Sequence, residues 1–116
     1  MPVTLRASQA LTLLHEFALA QVQDGEPDLS ARQIAVLLTV YLEAPPHTVR
    51  GLAAKLGVGK PVITRALDTM GRIGLLARRR DDRDRRNVIV DRTDAGVRYV
   101  ERLAALIAAT VEELTP

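Results

Sequence analysis

The sequence contains no cysteine, and only three of its 116 side chains are aromatic: Phe17, Tyr41 and Tyr99. Without thiols the chain cannot form a disulfide framework, a thiolate zinc site or a thiol redox sensor. The same absence suits a reducing cytoplasm, where we expect the protein to work. With so few aromatic rings the core has to be built from Leu, Ile, Val and Ala, a composition that favours helices.

Several classes of function lack their usual sequence signals. No apolar run approaches the roughly 20 residues of a membrane-spanning helix, and residues 1–6 lack a charged stretch followed by an apolar block, so we expect neither a membrane partner nor a signal peptide. His15 and His47 lie in separate predicted elements, which argues against a metal site. The motifs of nucleophilic catalysis and phosphate cradling are missing too, so we expect no enzyme and no cofactor.

Charge is distributed unevenly along the chain. Residues 48–92 hold 12 Lys and Arg against 5 Asp and Glu, a net charge of +7, whereas the rest holds 4 against 9, a net charge of −5. A basic middle between acidic ends is the pattern of a nucleic-acid-binding surface carried on a separate scaffold. A merely solvated basic surface would give the same count, so the charge alone leaves both interpretations open.

Apolar residues that recur at three- and four-residue steps predict five helices. Ser30, Thr48 and Thr93 are placed as N-caps, and Gly57 and Gly74 as helix ends, because glycine tolerates the left-handed conformation. Pro61 suits a first helical turn.

The residues turned inward are predicted as Ile34, Leu37, Leu38 and Tyr41 in the second helix, Leu52, Ala53 and Leu56 in the third, and Val62, Ile63, Ala66, Leu67 and Met70 in the fourth. The predicted helices are 5–23, 31–43, 49–56, 60–73 and 94–114, the first ended by Asp24-Gly25-Glu26-Pro27.

Between the last two predicted helices the apolar residues no longer follow the spacing of a helix. Residues 75–79 and 87–90 look like strands, and the polar turn 80–86 joins them into a hairpin. A short helix, a tight turn, a longer helix and a hairpin make a winged helix-turn-helix. We therefore predict a mainly α fold with a small β-hairpin and flanking dimerisation helices. It forms one domain over 1–116, with an N-terminal helix and loop (5–29), a winged core (30–92) and a C-terminal helix (93–116).

The fourth helix, about 60–73, is predicted to read DNA. With its apolar side inward, the outward side carries Lys60, Pro61, Thr64, Arg65 and Asp68. Arg65 can donate two hydrogen bonds to guanine, Thr64 can contact a thymine methyl or a phosphate, and Lys60 stands at a helix start that attracts phosphate. We add Pro61 and Thr48 to the predicted DNA contacts. An ordinary solvated helix face is the alternative.

The predicted wing is rich in arginine, with six among the nine residues 78–86. Arginine suits a narrow minor groove with concentrated negative potential, so we expect Arg83, Arg85 and Arg86 to contact DNA. Asp82 and Asp84 are expected to pair with neighbouring arginines and hold the loop in one shape. A solvated, ion-paired turn is the alternative.

Three stretches of the sequence carry recognisable motifs. They are Asp84-Arg85-Arg86 followed after five residues by Arg92-Thr93-Asp94-Ala95-Gly96, then Gly51-Leu52-Ala53-Ala54-Lys55-Leu56-Gly57-Val58 with Val62-Ile63-Thr64-Arg65-Ala66-Leu67-Asp68, and Gly74-Leu75-Leu76-Ala77-Arg78. The first stretch resembles the signature of the MarR family, which reads Asp-x-Arg, five residues, then Leu-Thr-x-x-Gly. The other two stretches resemble the same family, and the resemblance extends over roughly residues 30–103.

The resemblance implies a dimeric winged-helix repressor or activator, often responsive to small phenolic or lipophilic ligands. Arg65 and its neighbours would read the major groove, Asp84 and Arg86 would shape the wing, and an arginine near its tip would enter the minor groove. Arg92 departs from the pattern because it stands where the family has Leu. Gly59 departs as well, since it replaces the Ser that usually caps the recognition helix.

The first and last helices are too apolar to remain exposed on a small domain. A two-fold dimer would bury the same patch on both chains and set two recognition helices about 34 Å apart. The predicted dimerisation residues are Leu11, Leu14, Phe17, Val100, Leu103, Ile107 and Val111.

We therefore predict a cytoplasmic homodimer that binds double-stranded DNA in a sequence-specific manner and regulates transcription. A winged helix that binds protein or RNA through the same arginines is the alternative. A small-molecule effector, bound between the dimer helices and the winged core, is a third hypothesis that rests on the family resemblance.

Overall fold

Five helices and three short strands make up the part of the chain that the computed structural model describes, residues 4–23 and 28–114. The elements are α1 (Ala7–Gln23), α2 (Ala31–Leu42), β1 (His47–Thr48), α3 (Val49–Leu56), α4 (Lys60–Arg72), β2 (Leu76–Arg80), β3 (Val88–Arg92) and α5 (Asp94–Leu114). The predicted fold class is confirmed. The predicted turn at residues 24–27 lies outside the described residues.

The chain divides into two compact units. Residues 29–100 form one, called here the winged unit, and residues 1–28 with 101–116 form the other, the helical unit. The helix α5 runs from the first into the second. The single domain with flanking helices stays a prediction.

Helices α2, α3 and α4 supply most of the core of the winged unit. The side chains that turn inward from α4 include Ile63, Leu67 and Met70, as predicted. The predicted inner face of α2 is partly wrong: Leu37 is buried, but Val36 and Val40 accompany it, while Ile34, Leu38 and Tyr41 are only half-buried. The largest fully buried side chains are Leu37, Leu52, Ile63, Leu67, Met70, Val36, Val40 and Val90.

The predicted helix ends are confirmed by their capping bonds. Ser30 and Gln33 form a capping box, in which the Ser30 hydroxyl accepts from the Gln33 amide and the Gln33 side chain accepts from the Ser30 amide. The Thr93 hydroxyl accepts from the amide of Gly96 at 2.9 Å. Gly57 closes α3 with φ at 68° and Gly74 follows α4 with φ at 79°, both in the left-handed region.

The predicted hairpin is part of a three-stranded antiparallel sheet in the order β1-β3-β2. Leu76 opposes Arg92 and Arg80 opposes Val88, so β2 and β3 extend one or two residues beyond their predicted ends. The sequence analysis missed β1, whose two residues pair with Ile89 and Val90. Two residues are too few to produce an alternating pattern.

A hydrogen-bonded junction joins α2, the sheet and the start of α5. The hydroxyl group of Tyr41 lies 3.2 Å from the carbonyl oxygen of Leu75 and 3.1 Å from that of Thr93, and it accepts from the Thr93 amide at 3.2 Å. The Thr93 hydroxyl donates to the carbonyl oxygen of Gly74 at 2.7 Å. A Cβ atom added at Gly96 would overlap the Tyr41 hydroxyl and the Leu75 carbonyl oxygen. Close packing therefore requires glycine at position 96 of this chain.

Arg92 caps α2 from the sheet. Its Nε donates to the carbonyl oxygen of Val40 at 3.1 Å and its Nη2 to that of Tyr41 at 3.0 Å, and the guanidinium lies 5.4 Å from the centroid of the Tyr41 ring. A cation at a helix C-terminus satisfies carbonyl groups that have no partner inside the helix. Arg92, which stands where the resembling pattern has Leu, therefore stabilises the C-terminus of α2.

The helical unit consists of α1 and the second part of α5. The Gln9 side chain donates to the carbonyl oxygen of Leu114 at 2.7 Å and so joins the two helices. Leu11, Leu14 and Val22 of α1 are 67%, 61% and 72% exposed. Of these three, Leu11 and Leu14 are predicted dimerisation residues, and the remaining predicted ones are half-buried: Phe17, Val100, Leu103, Ile107 and Val111. None of the described helices is long and apolar enough to cross a lipid bilayer.

We expect Gly96→Ala to destabilise the winged unit by about 2 kcal/mol or more, because overpacking against a backbone carbonyl costs roughly 1–3 kcal/mol or more and outweighs the better helix propensity of alanine. Urea denaturation measures the change. Gly71→Ala in α4 is the matched control, since its added Cβ meets nothing within 4 Å, and we expect it to be neutral or stabilising. Equal loss of stability in both variants would contradict the packing argument.

Candidate nucleic-acid interface

The helix α4 presents one polar side to solvent. Its buried side chains turn the opposite face outward, and Lys60, Pro61, Thr64, Arg65 and Asp68 are all exposed, as predicted. The N-cap is Gly59 in an extended conformation, with φ −76° and ψ 156°, and Pro61 lies in the first turn. Proline at this place loses no hydrogen bond and has the φ that a helix needs. The helix therefore begins without a side-chain cap.

The start of α3 lies beside α4. The Thr48 hydroxyl oxygen accepts from the amide of Gly51 at 2.9 Å, which makes Thr48 the N-cap of α3 and leaves it half-buried. Arg50, in the first turn of α3, is exposed. The sequence analysis did not select Arg50, although its place two residues after a predicted cap was a usable signal.

Backbone bonds close the wing loop between β2 and β3. The amide of Asp81 donates to the carbonyl oxygen of Asn87 at 3.1 Å, and the amide of Asn87 donates to that of Asp84 at 2.9 Å. The guanidinium of Arg80 donates to the carbonyl oxygen of Arg85 at 3.0 Å. The loop thus has a defined shape rather than a free tip.

Two carboxylates, Asp81 and Asp84, accept hydrogen bonds from the loop backbone. Asp81 accepts the amide of Arg83 at 2.9 Å and Asp84 that of Arg86 at 3.1 Å. The wing-shaping role expected of Asp84 stays a prediction, which these contacts favour. Asp82 was also expected to shape the wing, but its side chain is exposed. The carboxylate that accepts the amide of Arg83 belongs to its neighbour Asp81.

Asp84 and Arg86 form a two-point ion pair. Nε and Nη2 of Arg86 donate to Oδ1 and Oδ2 of Asp84 at 3.0 and 3.1 Å. The side-chain bond from Arg86, the backbone bond from Arg86 and the charge of Arg50 lower the pKa of Asp84, while slight desolvation opposes them. The carboxylate is therefore ionised at and above the ordinary pKa of Asp, and the pair is lost only as the pH falls through the lowered pKa.

Two further ion pairs hold wing arginines in place. Arg78 of β2 donates to Asp68 at 2.7 Å, which joins α4 to the wing. Arg79 donates to Asp91 across the two strands at 2.8 Å. Surface pairs of this kind contribute little stability, but they reduce the net positive charge around the wing.

A groove of about 360 Å³ separates α4 from the wing. We call it the wing groove. Five of its lining side chains are cationic, and none of those described is a carboxylate. Its lining comprises Val49, Arg50, Lys60, Thr64, Arg78, Arg80, Arg86, Asn87 and Val88. The tertiary structure thus brings α3, α4 and the wing together around one cationic surface.

The wing groove brings together only some of the predicted DNA contacts. Lys60, Thr64 and Arg86 line it, while Arg83 and Arg85 are exposed on the wing loop. Thr48 lines a different groove of about 480 Å³, between α2 and α3. Arg78 and Arg80, which the sequence analysis did not select as DNA contacts, line the wing groove. Arg78 was predicted in a strand and Arg80 in the turn 80–86, and neither position indicated that the two side chains would line one groove.

Comparison with known proteins assigns the family. The sequence model of the MarR family matches residues 29–88, slightly more than half of the chain. A MarR-family transcriptional regulator from Rhodococcus sp. RHA1 is 27% identical in sequence, with a TM-score of 0.66, and the match covers 90% of this chain and 71% of that one. No curated protein matches the sequence well enough to count as a relative.

Two other solved structures share the fold. A transcriptional regulator from Thermotoga maritima has a TM-score of 0.77 at 23% identity, covering 93% of this chain and 73% of that one. A single-residue mutant of MepR from S. aureus, bound to an oligodeoxyribonucleotide, has a TM-score of 0.79 at 20% identity, covering 90% and 75%. The wing signature, the winged helix-turn-helix and the family match agree, and this chain belongs to the MarR family of winged helix-turn-helix transcriptional regulators.

Proposed function

We propose that this protein binds double-stranded DNA in a sequence-specific manner, with α4 in the major groove and the wing on the adjacent minor groove. The observation that carries the proposal is the wing groove, which joins the outward side of α4 to the wing through five cationic side chains. A phosphate backbone that passes between a major-groove helix and a minor-groove wing would lie against this surface. The DNA-bound MepR mutant has the same fold.

The outward side of α4 would read the bases. Arg65 and Thr64 are exposed one turn inside the helix, where side chains reach base edges first. Arg65 would donate two hydrogen bonds to guanine. Lys60 and Pro61, in the first turn, would approach a phosphate and a sugar or base edge, respectively.

The wing would contact the minor groove through Arg83 and Arg85. The bonds of Asp81 and Asp84 to the loop backbone order the segment that carries both arginines, so binding costs less backbone entropy than it would for a free loop. Arg86 would contact a phosphate while its pair with Asp84 holds it. Thr48 would donate its hydroxyl proton to a phosphate, because its cap bond to Gly51 uses only a lone pair.

The active form would be a homodimer. The exposed apolar side chains Leu11, Leu14 and Val22 of α1 would be covered by a second copy, together with the predicted residues of α5. A two-fold dimer would read two half-sites one turn of DNA apart. We further propose a cytoplasmic location, beside the DNA, and no catalytic activity, because the family consists of transcriptional regulators. Effector binding stays a prediction.

We expect Arg65→Ala to reduce discrimination between the preferred site and a site with one changed base pair by about 10- to 100-fold, the value of one bidentate interaction with a base. The preferred site is first selected from a random DNA pool, and fluorescence anisotropy then measures binding. Arg98→Ala, which removes an exposed arginine of α5, is the control. Unchanged base preference in Arg65→Ala would show that another side chain reads the base.

For the wing, we expect Arg85→Ala to weaken binding to preferred and unrelated duplexes alike. The slope of log affinity against log salt should fall by about 0.9 for each phosphate that the protein no longer neutralises. Asp82→Ala is the control, because it changes the same exposed loop and removes no cation. If Arg85→Ala binds like the unaltered protein at every salt concentration, Arg85 does not contact the DNA.

For the dimer, we expect light scattering to give twice the mass of the chain, and the double variant Leu11→Glu, Leu14→Glu to give the mass of one chain, because charge in an apolar interface is costly. Leu42→Glu is the control, since Leu42 is 77% exposed but belongs to the winged unit. A double variant that remains dimeric with native helicity would place the interface elsewhere.

A further inference from the structure

A second groove lies on the other flank of α4, against the start of α2. Its volume is about 170 Å³, and we call it the α2 groove. The α4 side chains along it include Arg65, so the two grooves border the same recognition helix. Its lining is Ser30, Arg32 and Gln33 from the start of α2 and Val62, Arg65, Ala66 and Thr69 from α4.

The dimensions of DNA determine what meets the flanks of α4. A helix with its side chains is about 10–12 Å across, and the major groove is about 12 Å wide. A helix inserted there fills the groove, so its two flanks face the phosphate backbones of the two strands. If one strand passes along the wing groove, the α2 groove faces the other.

The arginines are the charged donors of the α2 groove. The Ser30 hydroxyl oxygen and the Gln33 side-chain oxygen accept the capping-box bonds of α2, so these two side chains can offer only neutral donors, and the Thr69 hydroxyl donates to the carbonyl oxygen of Arg65 at 3.4 Å. Arg32 and Arg65 are exposed cations. No described carboxylate lines the groove.

Arg32 is far in the sequence from the other cations around α4. It lies outside the basic segment 48–92, in the part of the chain where acidic residues outnumber basic ones by 9 to 4. The tertiary structure nevertheless places this arginine beside the recognition helix. The charge pattern along the sequence therefore did not indicate it as a DNA contact.

We infer that Arg32 binds a phosphate of the strand opposite to the one that passes along the wing groove. Its guanidinium has the planar, two-point geometry that suits phosphate. The inference rests on the proposed function and adds one element to it: α4 is held between the two strands by cations on both flanks. Arg65 can then contact bases, because Arg32 binds the phosphate backbone of the DNA on that side of α4.

The first experiment measures affinity against salt for Arg32→Ala on the preferred duplex and an unrelated one. We expect roughly tenfold weaker binding to both, with the salt slope reduced by about 0.9 because one phosphate is no longer neutralised, and the base preference unchanged. Arg32→Lys keeps a charge at the site, so it should retain most of the slope. Arg98→Ala should match the unaltered protein.

The second experiment assigns the strand. Neutral methylphosphonate linkages replace the phosphates of the preferred duplex one at a time, on each strand. Arg32→Ala should become insensitive to one position that weakens binding of the unaltered protein. Arg50→Ala, which removes an exposed cation of the wing groove, should become insensitive to a position on the other strand.

The outcomes separate the two claims. If the unaltered protein prefers no duplex over unrelated DNA, the proposed function is wrong. If it does prefer one, but Arg32→Ala keeps the full salt slope and the full methylphosphonate profile, Arg32 does not contact the backbone. The inference is also wrong if the Arg32 and Arg50 variants become insensitive to positions on the same strand.

Discussion

The close approach of Gly96 to the hydroxyl group of Tyr41 determines how the parts of the winged unit meet. That hydroxyl group bonds to backbone atoms of Leu75 and Thr93, and Thr93 in turn bonds to Gly74 and Gly96. The end of α4, the base of the wing and the start of α5 are thereby held against α2. The orientations of α4 and of the wing both depend on this junction, because α4 ends and the wing begins at backbone positions that the junction holds in place.

Carboxylates offset the repulsion between the arginines of the wing. Six arginines in nine residues repel one another and would favour an extended, variable loop. Asp68, Asp84 and Asp91 each pair with one of them, and Asp81 holds the loop backbone. Arg78, Arg79 and Arg86 are thus paired with carboxylates, whereas none of the ion pairs among the described residues includes Arg83 or Arg85 at the tip. The net positive charge survives because the arginines outnumber their partners.

Much of the fold follows from interactions within single short segments of the chain. The bounds of α3 and α5 agree with their predicted ends, and the caps at Ser30, Thr48 and Thr93 form the expected bonds. Caps and left-handed glycines act within about four residues, so they can be predicted from the sequence. The inner face of α2 was predicted less well, because its apolar residues surround much of the helix and only its neighbours select the buried side.

The sequence by itself determined the winged helix-turn-helix, the outward polar side of α4 and the arginine-rich wing, because helix periodicity, turn residues and charge are properties of consecutive residues. Only the tertiary structure decided the strand β1, the cap that Arg92 provides for α2, and the places of Arg32 and Arg50 beside α4. Each of these joins residues distant in the chain, and the pattern within either segment carries no information about the other. Contacts of that kind exist only once the core has packed and brought the segments together.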